Sequence, residues 1–403
     1  MRISITDKAL CSGCEACAQI CVHKAIEMRE DHEGFRYPEV MAEKCVDCGL
    51  CTAVCMYKYS PVKYSGEKYV YGGYHKDDDI RFESTSGGAF SAIVEAYCDN
   101  NYVIFGAEAD GKEVHHGFIS DKNELSKFRK SKYSQSIIGD SYKQTRQFLK
   151  EGKKVLFSGT PCHIAGLRNY LRNVEYPNLL TVEVICEGVP SPLFLRKLDQ
   201  HYIEVYGAGI ASIDYRYTGK ALFQKGKWDF EQFKIKLHGQ KKGFVKDRWI
   251  NPFWSLWLRH LMSRPSCYNC LFTTSERCAD ISLGDLWGVH LYCPELYGKN
   301  GGSSLIVCNT DKGASVVKIA KDFMYGHELD FDDALRYQSP MRKCIDENPD
   351  RERFMNDLQS SMTYKELINK WYKGPSLRLL WQKYIWGNRQ KVFFWELKNA
   401  KQK

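Results

Sequence analysis

The sequence predicts an α/β protein (α+β overall): a small cysteine-bound N-terminal domain, a larger mixed α/β body and a helical basic tail. Three observations predict it. Eight cysteines fall in two identically spaced runs that end at Cys55. Beyond them, short apolar runs alternate with amphipathic segments that open on Gly, Ser, Thr or Pro. The last stretch, Lys365 to Lys403, then carries ten Lys and Arg against two Glu. The boundaries are drawn near residues 62 and 345, giving segments 1–62, 63–345 and 346–403.

The first element is the pair of cysteine runs. Cys11, Cys14, Cys17 and Cys21 read C-x2-C-x2-C-x3-C, and Cys45, Cys48, Cys51 and Cys55 repeat that spacing. Three cysteines two residues apart wrap three corners of a [4Fe–4S] cube, and in two-cluster ferredoxins the fourth cysteine crosses to the other cube. One cluster is therefore assigned to Cys11, Cys14, Cys17 and Cys55, the other to Cys45, Cys48, Cys51 and Cys21. Zinc modules present two pairs, or cysteines mixed with histidines, rather than this three-plus-one pattern. A disulfide framework needs an oxidising compartment, and nothing in the sequence points to export. The proline usual after the fourth cysteine is replaced by Val22 and Met56, which alters the loop and removes no ligand. Ala25 to Met28 and Phe35 to Val40, around a turn ending in Gly34, predict a small hairpin.

Composition narrows the class. The chain has 403 residues, 43 % of them hydrophobic and 27 % charged, which suits two or three globular domains. Met1 to Leu10 lacks the apolar core of a signal peptide, and no run approaches the ~18 apolar residues of a membrane span. Seventeen cysteines without an export signal point to metal ligation in a reducing compartment, the cytoplasm. The net charge is +9, concentrated in the tail, which also holds Trp371, Trp381, Trp386 and Trp395. Such a tail suits peripheral contact with an anionic membrane surface or an acidic partner; the competing reading is a helix whose aromatics pack on the body. No nucleic-acid motif accompanies the charge.

Met56 to His75, rich in tyrosine and glycine, reads as a connector over the surface, with a boundary at Asp77 to Asp79. Ser84-Thr85-Ser86-Gly87-Gly88 opens a helix, leaving N–H groups free for an anion such as a pyrophosphate, or forming a plain N-cap. Tyr102 to Ala107 and Val114 to Ser120 read as strands around an Asp110-Gly111 turn. Lys130 to Ser136 is a polar loop with donors for a phosphate or only solvated ones. A helix from about Asp140 to Lys150 leads into the strand Val155 to Ser158.

Gly159-Thr160-Pro161-Cys162 follows. Thr160 is placed to N-cap, Pro161 suits the first helical position, and the helix start is expected to lower the pKa of the Cys162 thiol. Leu179 to Ile185 is the next strand and ends in Cys186. Were the two strands parallel neighbours, both cysteines would leave the same carboxyl edge, where such sheets bind ligands. A helix over about Pro192 to Tyr206 and a hairpin around Gly219 and Gly226 come next. Trp249, Phe253, Trp254, Trp257 and Leu261 form an aromatic face read as core. Cys267 and Cys270 are another C-x2-C, completing a four-cysteine set with Cys162 and Cys186. Spacing alone leaves a cluster, a zinc site and scattered buried thiols open. Ala279 to Asp285 and Ser303 to Cys308 read as strands. Cys98, Cys278, Cys293, Cys308 and Cys344 lack ligand spacing and are read as structural.

In order, these residues resemble a known family. Ser-Thr-Ser-Gly-Gly (84–88), Ser-Lys-Tyr-x-Gln-Ser (131–136), Ser-Gly-Thr-Pro-Cys (158–162), Cys-x-Gly-x-Pro-Ser (186–191), Cys-x2-Cys (267–270) and Ala-Asp-Ile-Ser-x-Gly-Asp-x-Trp-Gly (279–288) resemble the beta subunit of coenzyme F420 hydrogenase/dehydrogenase. The likeness covers roughly residues 65–330, with the double-cluster domain as an N-terminal fusion; His163 stands where the family often has Gln.

The resemblance implies an iron–sulfur flavoprotein oxidoreductase. It implies FAD held by Ser84, Thr85, Ser86, Gly87 and Gly88, by Lys132, Tyr133, Gln135 and Ser136, and by Thr160. It also implies a third [4Fe–4S] cluster on Cys162, Cys186, Cys267 and Cys270. A flavin exchanges hydride with a two-electron partner and releases single electrons to clusters. The partners implied are a redox protein (ferredoxin or another oxidoreductase subunit) and either the deazaflavin F420 or an organic substrate reduced with ferredoxin electrons. A zinc-stabilised scaffold without redox activity is the reading from another class. No catalytic side chain is named.

Overall fold

The computed structural model describes residues 2–219, 232–297 and 302–381, together with 385 and 397. Its first strands are the predicted hairpin, β1 (Ile26–Glu30) and β2 (Arg36–Val40), antiparallel with Ile26 opposite Val40. The body is built on β3 (Tyr69–His75), β4 (Tyr102–Asp110), β5 (Glu113–Ile119), β6 (Lys154–Gly159) and β7 (Leu179–Val184). A separate antiparallel sheet holds β8 (Ile210–Tyr217), β9 (Gln232–Leu237) and β10 (Phe244–Asp247). Last come β11 (Ile281–Asp285), β12 (Ser304–Cys308) and β13 (Met324–Glu328).

Eight strands make the large mixed sheet, in the order β13-β3-β12-β11-β7-β6-β4-β5. Its heart, β11-β7-β6-β4, is parallel, and its flanks are antiparallel. Side chains alternate faces along a strand, so each central strand feeds two cores. Val103, Phe105, Val155, Phe157 and Leu179 point to one face, packing with Ile164, Leu167 and the N-terminal residues Ile3, Ala16 and Ile20. Ile104, Leu156, Leu180 and Val182 point to the other, against helices Ala89–Tyr97 and Asp311–Ala320. Fully burying a side chain such as Phe157 contributes about 2 kcal/mol. One apolar core thus runs from the cysteine-rich segment into the body without a gap.

Polar groups fix that junction. Gln19 Oε1 accepts from the backbone N–H of Tyr142, at 2.9 Å, and of Lys143, capping helix Ser141–Lys150 from outside. Arg351, in helix Arg351–Gln359, forks onto the Glu33 carboxylate at 2.9 and 2.6 Å, at the tip of the hairpin. Within the sheet, the fully buried Glu183 is paired with Arg277 and accepts from Ser282 at 2.7 Å. Breaking such a buried pair costs about 3–5 kcal/mol.

Two sequence readings need correction. Tyr69–His75, read within a surface connector, is the strand β3, buried between β13 and β12. Gly72 and Gly73 hid it, because glycine weakens a strand signal. Here they admit close neighbours: a Cβ on Gly73 would lie 2.5 Å from the Tyr325 carbonyl oxygen. Asp77 to Asp79, read as a boundary, is instead a helix start, with Asp77 accepting from the Asp79 and Ile80 N–H groups.

The remaining elements follow the sequence closely. Helix Pro192–Tyr206 matches its predicted span, and Phe253, Trp254, Trp257 and Leu261 are core, whereas Trp249, read with them, is only half-buried. Of the hairpin around Gly219 and Gly226, β8 and β9 pair antiparallel, while Gly226 lies outside the described residues. Trp386 and Trp395 lie outside them too. Helices Arg351–Gln359 and Tyr364–Trp371 bury Phe354, Leu358, Leu367 and Trp371 in the third core with β8 and β9. Among the described residues no helix is long and apolar enough to cross a membrane.

Candidate functional site

The two N-terminal runs turn alike. The residue after each second cysteine is left-handed, Glu15 at φ 62° and Gly49 at φ 76°, and each starts a short helix, Ala16–Ile20 and Leu50–Ala53. That turn brings Cys11, Cys14 and Cys17 around a pocket which Cys55 also lines, with Ile3 and Val54. The burial of Cys14 and Cys17 pushes their thiols up, and neighbouring Cys11 and Cys55 add to it. In the other set, the Sγ of Cys51 accepts from the Ile3 N–H at 3.4 Å and that of Cys21 from the Ala25 N–H at 3.3 Å. Cys45 is half-buried and Cys48 is exposed.

The second thiol group sits on the body. β6 and β7 are parallel neighbours, so Cys162 and Cys186 leave the same carboxyl edge. Cys162 occupies the first turn of helix Pro161–Tyr170, and Cys267 closes a short 3-10 helix, Pro265–Cys267. Gly188, at φ +112°, lets the backbone approach: a Cβ there would lie 3.1 Å from the Cys267 Cβ. Burial pushes Cys267 up to about 12 and Cys270 to about 11, with Cys162 adding to both. Cys186 is raised by burial, then by Cys267, Cys162 and Cys270.

A helix-start thiol was expected to be acidic. Burial instead raises Cys162, because desolvation outweighs the help from Thr160 and the helix N–H groups. Thr160 makes no side-chain cap; its Oγ1 lies 3.1 Å from the Cys162 Sγ.

Buried thiols raised by one another bind a cation that deprotonates them. Both donor sets are made of cysteines, the ligand type that holds iron–sulfur clusters and structural zinc.

The two thiol groups adjoin. Cys14 is raised in part by Cys162. Tyr57 lines the Cys11 pocket and is raised by burial, then by Cys162 and Cys270. Sequence reasoning missed two residues here. Cys344 lies beside Cys270, its Sγ 3.6 Å from that carbonyl oxygen and 3.0 Å from Thr273 Oγ1. Only the long-range fold brings it there. Arg264, buried between the groups, donates from Nε to the Cys11 carbonyl at 2.9 Å; its place three residues before Cys267 was the available signal.

The proposed flavin residues form one region with exceptions. The Ser131 N–H donates to Thr85 Oγ1 at 2.7 Å, joining the 84–88 and 131–136 loops. Gly88, at φ 82°, starts helix Ala89–Tyr97 without a side-chain cap. A Cβ on Gly87 would lie 2.4 Å from the Gly73 carbonyl oxygen, so this glycine is required. Ser84 donates to the Ile80 carbonyl and Ser86 to that of Ser303. Burial lowers Lys132 to about 8, while its Nζ donates to the Arg129 carbonyl at 2.8 Å.

Four of the ten residues are engaged elsewhere, Thr160 against the Cys162 sulfur among them. Tyr133 packs edge-on to Trp254, ring centroids 4.8 Å apart. Gln135 Nε2 donates to the Ser12 carbonyl at 2.8 Å, reaching the first cysteine loop. Ser136 Oγ pairs with His116 Nδ1 at 2.7 Å, and His116 stands edge-on to His163.

Comparison with known proteins adds the following. The family model for the C terminus of the coenzyme F420 hydrogenase/dehydrogenase beta subunit matches residues 152–332. The model for a 4Fe-4S dicluster domain matches residues 10–59. An uncharacterised polyferredoxin-like protein of Methanocaldococcus jannaschii is 34% identical over 76 residues, covering 15% of this chain. The match spans 45% of that relative's length. A chain of the F420-reducing [NiFe] hydrogenase complex from Methanosarcina barkeri is 17% identical, with a TM-score of 0.42 over 71% of this chain and 97% of that one.

Proposed function

We propose that this protein is an oxidoreductase that passes electrons between a two-electron partner at FAD and one-electron carriers through three [4Fe–4S] clusters, a reading supported by the match of residues 152–332 to the model for the C terminus of the coenzyme F420 hydrogenase/dehydrogenase beta subunit and of residues 10–59 to that for a 4Fe-4S dicluster domain. One observation carries the reading: the four body cysteines adjoin the pocket lined by Cys11, Cys14, Cys17 and Cys55, with Cys14 in the field of Cys162.

Bound FAD supplies hydride exchange on one side and single electrons on the other, and each cubane carries one electron. Cys162, Cys186, Cys267 and Cys270 hold the third cluster; Cys21, Cys45, Cys48 and Cys51 hold the outermost, where Cys48 meets solvent. The Gly88 helix start and Lys132 hold the pyrophosphate. The junction made by Gln19, Gln135 and Arg351 keeps the two thiol groups in fixed register. The two-electron partner is the deazaflavin F420 or an organic substrate. The one-electron partner is a ferredoxin or another oxidoreductase subunit, in a reducing compartment such as the cytoplasm.

Anaerobic purification tests the proposal. Expected are about twelve iron and twelve sulfide with one FAD per chain, and bleaching by dithionite. About eight iron would remove the third cluster; stoichiometric zinc with little iron would refute all three. A donor screen with reduced F420, NAD(P)H and reduced ferredoxin then separates an F420-linked enzyme from a ferredoxin-dependent reductase.

A further inference from the structure

We propose that Arg264 is a positioning residue which locks the Cys11 loop to the body and raises the electron affinity of the cluster bound there. The inference rests on the reading above that Cys11, Cys14, Cys17 and Cys55 hold a cluster. Arg264 is 1 % exposed. Its Nε donates to the Cys11 carbonyl at 2.9 Å, Nη1 to Gln135 Oε1 at 2.9 Å, and Nη2 to the Arg36 carbonyl at 3.0 Å. Nη2 also lies 3.9 Å from Cys11 Sγ, and the guanidinium stacks 4.3 Å from the Tyr37 ring centroid.

These partners are carbonyls, an amide, a thiol and an aromatic ring. Among the described residues no carboxylate forms an ion pair with Arg264, whereas the buried Arg277, Arg216 and Arg351 each have one. Burying a guanidinium without an anion is costly, and an arginine is not relieved by losing its proton. A cubane carrying four thiolates is the missing anion, and each added electron makes it more negative. A fixed cation, with a donor aimed at the cysteine sulfur, therefore favours the reduced cluster. Gly13 makes room for the arrangement, since a Cβ there would lie 2.9 Å from Nη1.

The test is a redox titration, followed by electron paramagnetic resonance, of the full anaerobically loaded chain as wild type, Arg264→Gln and Arg264→Lys. The Gln variant is expected to keep its iron and to lose about tenfold in electron affinity at one cluster, a shift of about 59 mV to more negative potential. The Lys variant is expected to recover most of that shift. Wild-type midpoints in the Gln variant, or a Lys variant shifted as far as Gln, would overturn the proposal while the cluster reading stands. A wild type without iron would overturn both. If Arg264→Gln does not fold, Gln135→Leu replaces it, because it frees one arm and keeps the charge. A smaller shift of the same sign is then expected, and unchanged midpoints refute the role.

Discussion

Cys14 rests against Gly166: a Cβ on that glycine would lie 3.1 Å from the Cys14 Cβ and 3.2 Å from its Sγ. Gly166 is four residues after Cys162 in the same helix, so both occupy one helix face. The contact therefore sets one thiol group directly on the element that starts the other.

Gly166→Ala tests that contact. Helix propensity alone favours Ala over Gly by about 1 kcal/mol. The added methyl would also stand 2.8 Å from Tyr142 Oη, and such overpacking costs about 1–3 kcal/mol. The expected outcome is a net loss of stability with less iron per chain, read by thermal melts and iron analysis. A variant as stable as wild type with full iron would show the contact to be slack.

Lys132 predicts a pH dependence. Its folded pKa is depressed to about 8, first by burial, against about 10.4 in an unfolded chain. Below about pH 8 both states are protonated and the folded state carries the whole desolvation penalty. Between about 8 and 10.4 the unfolded chain binds more protons, so stability rises with pH there. The side chain is only half-buried, so the gain is discounted to about 1–2 kcal/mol. Denaturant titrations across that window, on flavin-free protein, should show a slope that Lys132→Met removes. An equal slope in both proteins would assign it to other groups.

The tail divides at Trp371. That indole donates from Nε1 to the Asp357 carboxylate at 2.6 Å and stands edge-on to Phe354. Trp371→Ala is expected to cost about 3 kcal/mol. Removing residues 375–403 should abolish any salt-sensitive binding to anionic liposomes. Equal liposome binding before and after truncation would leave the tail without a membrane role.

These cases show what the sequence made legible. Val155 to Ser158 and Leu179 to Ile185 were readable because a parallel strand buried on both faces is a continuous apolar run. β3 was not, because the need for Gly72 and Gly73 arises across the sheet, from Tyr325 and Gly326. The cysteine runs were readable because a cube dictates local spacing, whereas Cys344 meets Cys270 only through the fold. Arg264 carried no periodicity, and its partners come from residues 11, 36 and 135. For Cys162, position at a helix start was visible but depth was not, and depth decided the sign of its shift.

Cys162→Ser tests the proposed electron path. Cys162 touches Thr160 Oγ1, is in the field of Cys14, and starts the helix that carries Gly166. A serine hydroxyl stays protonated near neutral pH, so it replaces a thiolate ligand poorly. The variant should lose about four of about twelve iron and keep its flavin, because the 84–88 and 131–136 loops do not depend on that sulfur. Reduction of the flavin by its two-electron partner should proceed as in wild type. Reduction of the N-terminal clusters should slow by at least about tenfold, since the body thiols adjacent to Cys14 no longer hold a carrier. Stopped-flow spectra after mixing with the cognate donor separate flavin bleaching from cluster bleaching. A variant that retains all its iron, with clusters reduced at the wild-type rate, would remove Cys162 from the ligand set and the body cysteines from the path.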